Sequence, residues 1–187
     1  MATAPISRLS AEEYLARERR SAERHEFLGG EIFAMTGASR RHNLVAGNVF
    51  AALHAQLAGR GCEIYTHDMR VRVSAADLFA YPDVVAACGP QFADAETDTL
   101  VNPTLIVEVL SPTTESYDRG NKFAHYRTLH SLAEYLLLAQ DRVHAEHFVR
   151  QGDGGWLLTE TADVAAVLHL PSIRCSLALS AVYDRVL

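Results

Sequence analysis

Leu105-Ile106-Val107-Glu108-Val109-Leu110-Ser111-Pro112 is the stretch on which the reading of this chain turns. A short apolar run closed by Ser-Pro reads as an interior strand, covered on both faces. Glu108 is its only charge. An ionised carboxylate inside such a strand loses hydration worth several kcal/mol unless something compensates. Upstream, Tyr81-Pro82-Asp83-Val84-Val85-Ala86-Ala87 poses the same problem at Asp83, in a run read as a second interior strand over 81–87. Two such acids on neighbouring strands would repel and raise one pKa. A divalent cation removes both difficulties. Hard oxygen donors suit Mg²⁺, which takes one or two protein carboxylates and completes its shell with water and phosphate. The competing reading is a pair of strand-end acids, each satisfied by an arginine.

Beyond this strand, 116–129 reads as a helix carrying Lys122, the only lysine in the chain against sixteen arginines. A drift toward arginine would convert any lysine that merely carries surface charge. Lysine is a compact point charge whose pKa can shift, whereas arginine is a permanently charged planar fork. A lone lysine is therefore a candidate for chemistry. Asp118, Lys122 and Tyr126 are four apart and share a helix face. A chain reversal after the Glu108 strand would bring the ammonium over the carboxylates, where it could orient water and stabilise charge on phosphorus. The plain alternative is an exposed Asp118–Lys122 pair.

The rest of the chain supplies a frame. Ser10-Ala11-Glu12-Glu13 reads as a capping box opening a helix to about Arg20. Gly29-Gly30 marks a tight hairpin, and 39–59 is the clearest helix. Strands are expected at 62–67, 69–73, 104–110, 134–139, 143–149, 156–160 and 167–170, with a polar loop over 89–103 and a short helix within 177–186. The expected class is α/β or mixed α+β, one domain over 1–187 with a mixed sheet flanked by helices.

Composition limits the function. The chain has 187 residues, is 49% hydrophobic and carries a net charge of −6. A protein that coats nucleic acid by charge alone is usually basic, so that class is excluded. Arginines at Arg17, Arg19, Arg20 and Arg24 are compatible with brief contact with a polyanion, and equally with solvated helix faces. No run approaches the roughly 20 apolar residues of a membrane span. Met1–Arg8 lacks a stretch of signal-peptide length, so a cytoplasmic protein is expected. Cys62, Cys88 and Cys175 are odd in number and far apart, and are expected as free thiols. His144 and His147 fall in an expected strand, where their spacing puts the rings on opposite faces and argues against a zinc site.

The order Pro82-Asp83, Glu108-Val109, then a basic residue is similar to the PD-(D/E)xK nuclease core. More specifically, the chain resembles the Uma2 (DUF820) family of endonucleases. The resemblance rests on Glu12-Glu13-Tyr14-Leu15, Gly30-Glu31-Ile32, Met35-Thr36-Gly37-Ala38-Ser39, His42-Asn43, Tyr81-Pro82-Asp83-Val84, Ile106 to Pro112, Asp118-Arg119, Lys122, Tyr126 and Glu134-Tyr135. Leu110 stands where the general pattern has its lysine, and Lys122 is the matching position on the next helix. The resemblance implies a restriction-endonuclease-like mixed sheet with additional antiparallel hairpins, and hydrolysis of phosphodiester bonds in nucleic acid, DNA first. It also implies dependence on Mg²⁺, with Mn²⁺ as an alternative, and often a homodimer. It implies Asp83 and Glu108 as metal ligands, with the Val109 carbonyl as a further one. Glu31 would be an additional acid acting through water, and His42 would contact phosphate or metal-bound water. Ser111 and Tyr126 would stand behind these groups. The rival readings are a nucleic-acid-binding or regulatory protein without useful turnover, and a structural protein whose buried acids form salt bridges.

Overall fold

Ser10 caps α1 (Ala11–Glu18) through the expected box: its hydroxyl accepts from the Glu13 N–H while the Glu13 carboxylate accepts from the Ser10 N–H. This computed structural model describes residues 8–35 and 37–187. The reading of the N-terminal residues before Arg8, and Thr36 of the matched stretch, lie outside the described residues. The hairpin β1 (His25–Leu28) and β2 (Glu31–Ala34) turns at Gly29 and Gly30, whose φ of 56° and 97° are left-handed and favour glycine. Ser39 caps α2 (Arg40–Leu57), which buries Val45, Val49, Leu53 and Leu57 as one stripe. Each is worth about 1.5–3 kcal/mol of burial.

Strands β3 (Cys62–Thr66), β4 (Arg70–Val73), β5 (Leu78–Ala80) and β6 (Val84–Cys88) follow. Next come β7 (Thr99–Leu100) and β8 (Leu105–Leu110). The helical run that carries Lys122 consists of α3 (Glu115–Tyr117), a wide π-type stretch (Asp118–Lys122) and α4 (Phe123–Tyr126). The chain continues through β9 (Glu134–Ala139), β10 (Ala145–Arg150), β11 (Trp156–Thr161), β12 (Val167–Leu170) and β13 (Cys175–Ala178), and ends in α5 (Leu179–Val182).

The expected mixed sheet has six strands in the order β11-β10-β9-β8-β6-β3, with β8 and β9 parallel and the other pairs antiparallel. The hairpin does not stand alone: β2-β1-β5-β4-β7 form a second, five-stranded sheet. Of the run read as one strand over 81–87, only Val84 to Ala87 is strand, in β6, and Tyr81–Asp83 form the crossing between the two sheets. β5 ends at Ala80 in the smaller sheet, and β6 begins at Val84 in the larger. Pro82 explains the break, because it has no N–H for a ladder and keeps Tyr81 from continuing the strand regularly. Two other expectations need amendment. The stretch 89–103 contains β7, paired in parallel with β4, and β13 pairs with β12 where no strand was expected.

Alternation along the central strands separates two cores. Leu105, Val107 and Val109 of β8 pack with Val84, Leu136 and Leu138 beneath α2 and α5. Ile106 and Leu110 face the other way, with Val85, Leu137, Tyr135 and Phe123 and with residues of the smaller sheet. Period two places Glu108 on this second face. A third cluster, Tyr14, Phe27 and Phe79, seats α1 on the smaller sheet.

The cysteine expectation is corrected. Cys62 and Cys88 form a disulfide between directly opposed residues of β3 and β6, with Cα atoms 3.9 Å apart, and only Cys175 is free and buried. Their 26-residue separation hides a neighbourhood that the antiparallel register creates. No described helix is long and apolar enough to cross a membrane.

Candidate active site

Five parts of the chain converge on one cleft of about 700 Å³: the hairpin, the start of α2, the Tyr81–Asp83 crossing, the end of β8 and the helical run after it. Glu108 is 3% exposed, with its Oε1 2.9 Å from Lys122 Nζ and accepting from the Tyr126 hydroxyl at 3.2 Å. Asp83 stands where the chain passes between the sheets. Its Oδ2 accepts the Val109 N–H at 2.7 Å and lies 3.2 Å from His42 Nε2. The Asp83 N–H reaches Glu108 Oε2 at 3.4 Å, which ties the two acids into one unit. Among the described residues neither acid has an arginine partner, so the alternative in which each is satisfied by an arginine does not describe the site; their cationic neighbours are Lys122 and His42.

Lys122 is 6% exposed and contacts three carboxylates. Besides Glu108, its Nζ lies 3.0 Å from Glu26 Oε1 and 3.7 Å from Asp118 Oδ1. The wide turn of the π-type stretch keeps Asp118 and Lys122 on the inner face, and such turns recur at functional positions. Four carboxylates, Glu26, Asp83, Glu108 and Asp118, thus surround one ammonium and one imidazole. Burial drives the Glu108 pKa well above its usual range, and the Asp118 and Asp83 charges add to this against the pull of Lys122. Burial likewise raises Asp118. Burial opposes charge on Lys122, but the fields of Glu108, Tyr126, Glu26 and Asp118 outweigh it and hold the ammonium protonated. His42 is also raised: burial works against its charge, while Asp83 and the Val109 carbonyl outweigh that cost. The cluster as a whole holds its protons tightly because it is over-negative for its depth, which makes it a seat for added positive charge.

The structure therefore brings Asp83, Glu108, Val109, Lys122, His42 and Tyr126 together. Ser111 lines the cleft and bonds the Thr113 and Thr114 hydroxyls at 3.0 Å, securing the entry to α3. Glu31 is elsewhere. It is exposed at the turn end of the hairpin, opposite Leu28, and does not line the cleft. The hairpin acid at the lysine is Glu26, which sequence reasoning passed over. An acid on a half-buried strand looks like any alternating polar residue, and only its fold partner marks it. Gln140, at the end of β9, also lines the cleft and accepts from the Ser39 hydroxyl.

Outside the cleft, His147 lies on β10, whereas His144, expected on the same strand, precedes it. His147 pairs with Glu134 at 2.6 Å. His144 lies near Glu146 and Glu160, and the Glu146 carboxylate is already bound by Arg119 at 2.8 Å.

A family model described as "Uma2: Putative restriction endonuclease" matches residues 11–181. An uncharacterised protein of Synechocystis sp. is 41% identical over 161 residues, spanning 86% of this chain and 91% of its own length. Another from the same organism is 36% identical over 181 residues, spanning 97% and 94%. Among solved structures, the chain is similar to a crystal structure described as "a putative nuclease belonging to DUF820" from Anabaena variabilis. The TM-score is 0.74 at 15% identity, covering 94% of this chain and 98% of that one. At that identity the likeness is one of fold.

Proposed function

The chain belongs to the Uma2 family, and from that premise we propose that it is a Mg²⁺-dependent endonuclease that hydrolyses phosphodiester bonds in DNA. The observation that carries the reading is the pair Asp83–Glu108, half-buried and buried respectively, without an arginine partner among the described residues, and set against a protonated lysine. The donor set fits a hard cation. Asp83 Oδ1 has no partner among the described residues, and Glu108 Oε2 has only the 3.4 Å contact from the Asp83 N–H. These two carboxylates would hold Mg²⁺, with the Val109 carbonyl as a further oxygen. Bound there, the ion would polarise a phosphoryl oxygen and lower the pKa of water.

The protein's own groups have separable tasks. Lys122 presents a fixed positive charge that can hold a water or stabilise charge on a pentavalent phosphorus. An ammonium has three N–H donors; Glu108 and Glu26 occupy two, and the third is left on the side of Asp118. Tyr126 fixes the Glu108 carboxylate by its hydroxyl, and His42 and the Val109 N–H fix that of Asp83. Arginine at position 122 would keep the charge but force a planar fork into a cavity shaped for a point.

Plasmid nicking with Mg²⁺, Mn²⁺ and Ca²⁺ tests the reading. Wild-type protein should cleave with Mg²⁺ or Mn²⁺, Asp83→Ala should not, and Lys122→Arg should lose on the order of 10²-fold or more. Failure of the wild type on both DNA and RNA with every ion would overturn it, and full activity of Lys122→Arg would remove the role given to the lysine.

A further inference from the structure

The hairpin wall of the cleft has a feature that the hydrolytic reading does not use. Phe33 is 50% exposed and Met35 is 38% exposed, and both line the cleft. Among the described residues Phe33 is the only exposed Phe, Tyr or Trp side chain. It pairs directly with Glu26 across β1 and β2, so both side chains project from the same sheet face. Glu26 in turn lies 3.0 Å from Lys122. The Met35 N–H bonds the Arg24 carbonyl at 2.9 Å, which continues the extended ladder and puts Met35 on the face of Phe33. An apolar platform therefore begins one strand away from the carboxylate that touches the lysine.

The charge lining the cleft runs the other way from what a duplex requires. Five carboxylates line it against Arg24, Lys122 and the imidazole of His42, whose pKa, against the cost of burial, is raised by Asp83 and the Val109 carbonyl. Arg24 is paired with Asp68 at 3.3 Å, and Lys122 is enclosed by its acids. Double-stranded DNA carries a charge about every 1.7 Å and is held chiefly by rows of Lys and Arg. Among the described residues no such row lines this cleft. A neutral contact can supply part of the grip, and the exposed face of an aromatic ring stacks on any base that is free of its partner.

We propose that Phe33, backed by Met35, is a nucleobase-stacking subsite, and that the substrate is single-stranded or locally unpaired nucleic acid. This rests on the nuclease reading above. The unpaired base beside the scissile phosphate lies on Phe33, and stacking positions the phosphate at the Asp83–Glu108 pair. Met35 supplies a polarisable neighbour that adapts to different bases.

Fluorescence anisotropy in Ca²⁺, with a labelled single strand and a blunt duplex of equal length, tests the binding. Mg²⁺ cleavage of the same two probes tests the consequence. The wild type should bind and cleave the single strand in preference to the duplex. Phe33→Ala should bind the single strand about tenfold more weakly, raise KM more than it lowers kcat, and keep the wild-type Tm because the ring is half exposed. Phe33→Trp should retain binding and Phe33→Leu should not. Equal or tighter duplex binding, or an unchanged single-strand affinity in Phe33→Ala or Phe33→Leu, overturns the stacking subsite even if both probes are cut. Phe33-dependent binding of the single strand with no cleavage in any metal overturns the nuclease reading and leaves the subsite standing.

Discussion

Lys122→Met replaces the buried ammonium with an apolar chain of similar length, and its cost can be worked out from the groups left behind. Glu108 loses the cation 2.9 Å away while keeping its burial and its acidic neighbours. It cannot stay ionised there cheaply, so it takes a proton. Starting from its ordinary value of 4.5, that step at pH 7 spans about 2.5 pH units. At about 1.4 kcal/mol per unit, this sets an upper bound of roughly 3.5 kcal/mol on the loss, because burial already raises the Glu108 pKa in the wild type. The bound falls within the ~3–5 kcal/mol seen when one partner of a buried pair is removed. For a chain of this size it corresponds to a fall in Tm of at most about 7–14 °C. The sign follows from proton counting. In the variant the folded state keeps a proton on Glu108 that the unfolded state releases above 4.5, so its stability falls as pH rises. Thermal unfolding of both proteins, followed by circular dichroism in chelator, should show a small Tm gap at pH 5 and a large one at pH 8. A gap of the same size at both pH values would mean that the lysine acts through packing alone. No gap at pH 8 would refute the claim that it compensates the buried acids.

Three further expectations follow from other contacts. Glu26→Gln should lower kcat by roughly tenfold with little change in KM, by loosening the hold on Lys122, whereas Glu31→Gln should leave steady-state cleavage kinetics unchanged; the reverse order would restore Glu31 to the site. Reducing the Cys62–Cys88 disulfide opens a constraint across a 26-residue separation, worth about 3 kcal/mol of unfolded-state entropy. Calorimetry with and without reductant should then show a Tm about 6–12 °C lower in reductant, and an unchanged Tm would rule out that contribution. Asp98 is held well below its usual 3.8 by Arg19, with Arg70 adding its charge, so its contribution is present above that value and lost as pH falls below it. Asp98→Asn should cost about 1–2 kcal/mol in urea unfolding at pH 7, a deficit that shrinks in acid; a deficit that persists undiminished would contradict the assignment.

What the sequence made legible were the residues that break a local rule. Glu108 stood out because a carboxylate in Leu105–Leu110 has no apolar reason to be there, and the structure places it on the inner face. Lys122 stood out by composition, and the four-residue spacing put Asp118 and Tyr126 beside it. Ser10 announced its helix because capping is chemistry between near neighbours, and α2 announced itself by the helical spacing of its apolar residues. What stayed hidden depends on register between distant segments. Glu26 breaks no rule on its own strand and acquires meaning only when Lys122 arrives against it. Cys62 and Cys88 meet because β3 and β6 pair in one particular register. Pro82 did carry the signal that divides β5 from β6, yet the continuous apolar pattern around it outweighed that signal in the reading of 81–87.

The division at Tyr81–Asp83 has a consequence for how such a chain can change over generations. On the proposed nuclease reading, the groups assigned to bond breaking sit chiefly on the larger sheet and the helical run that follows β8, while the wall proposed to meet an incoming strand belongs to the hairpin of the smaller sheet. The two inventories meet at Glu26 and share the core between the sheets, whereas Phe33 and Met35 stand outside it, exposed. On that reading, substitutions at Phe33, Met35 or the hairpin turn would alter which molecules are admitted while leaving Asp83, Glu108 and Lys122 in place. Diversification of targets would then be open to this architecture by small edits at an edge strand.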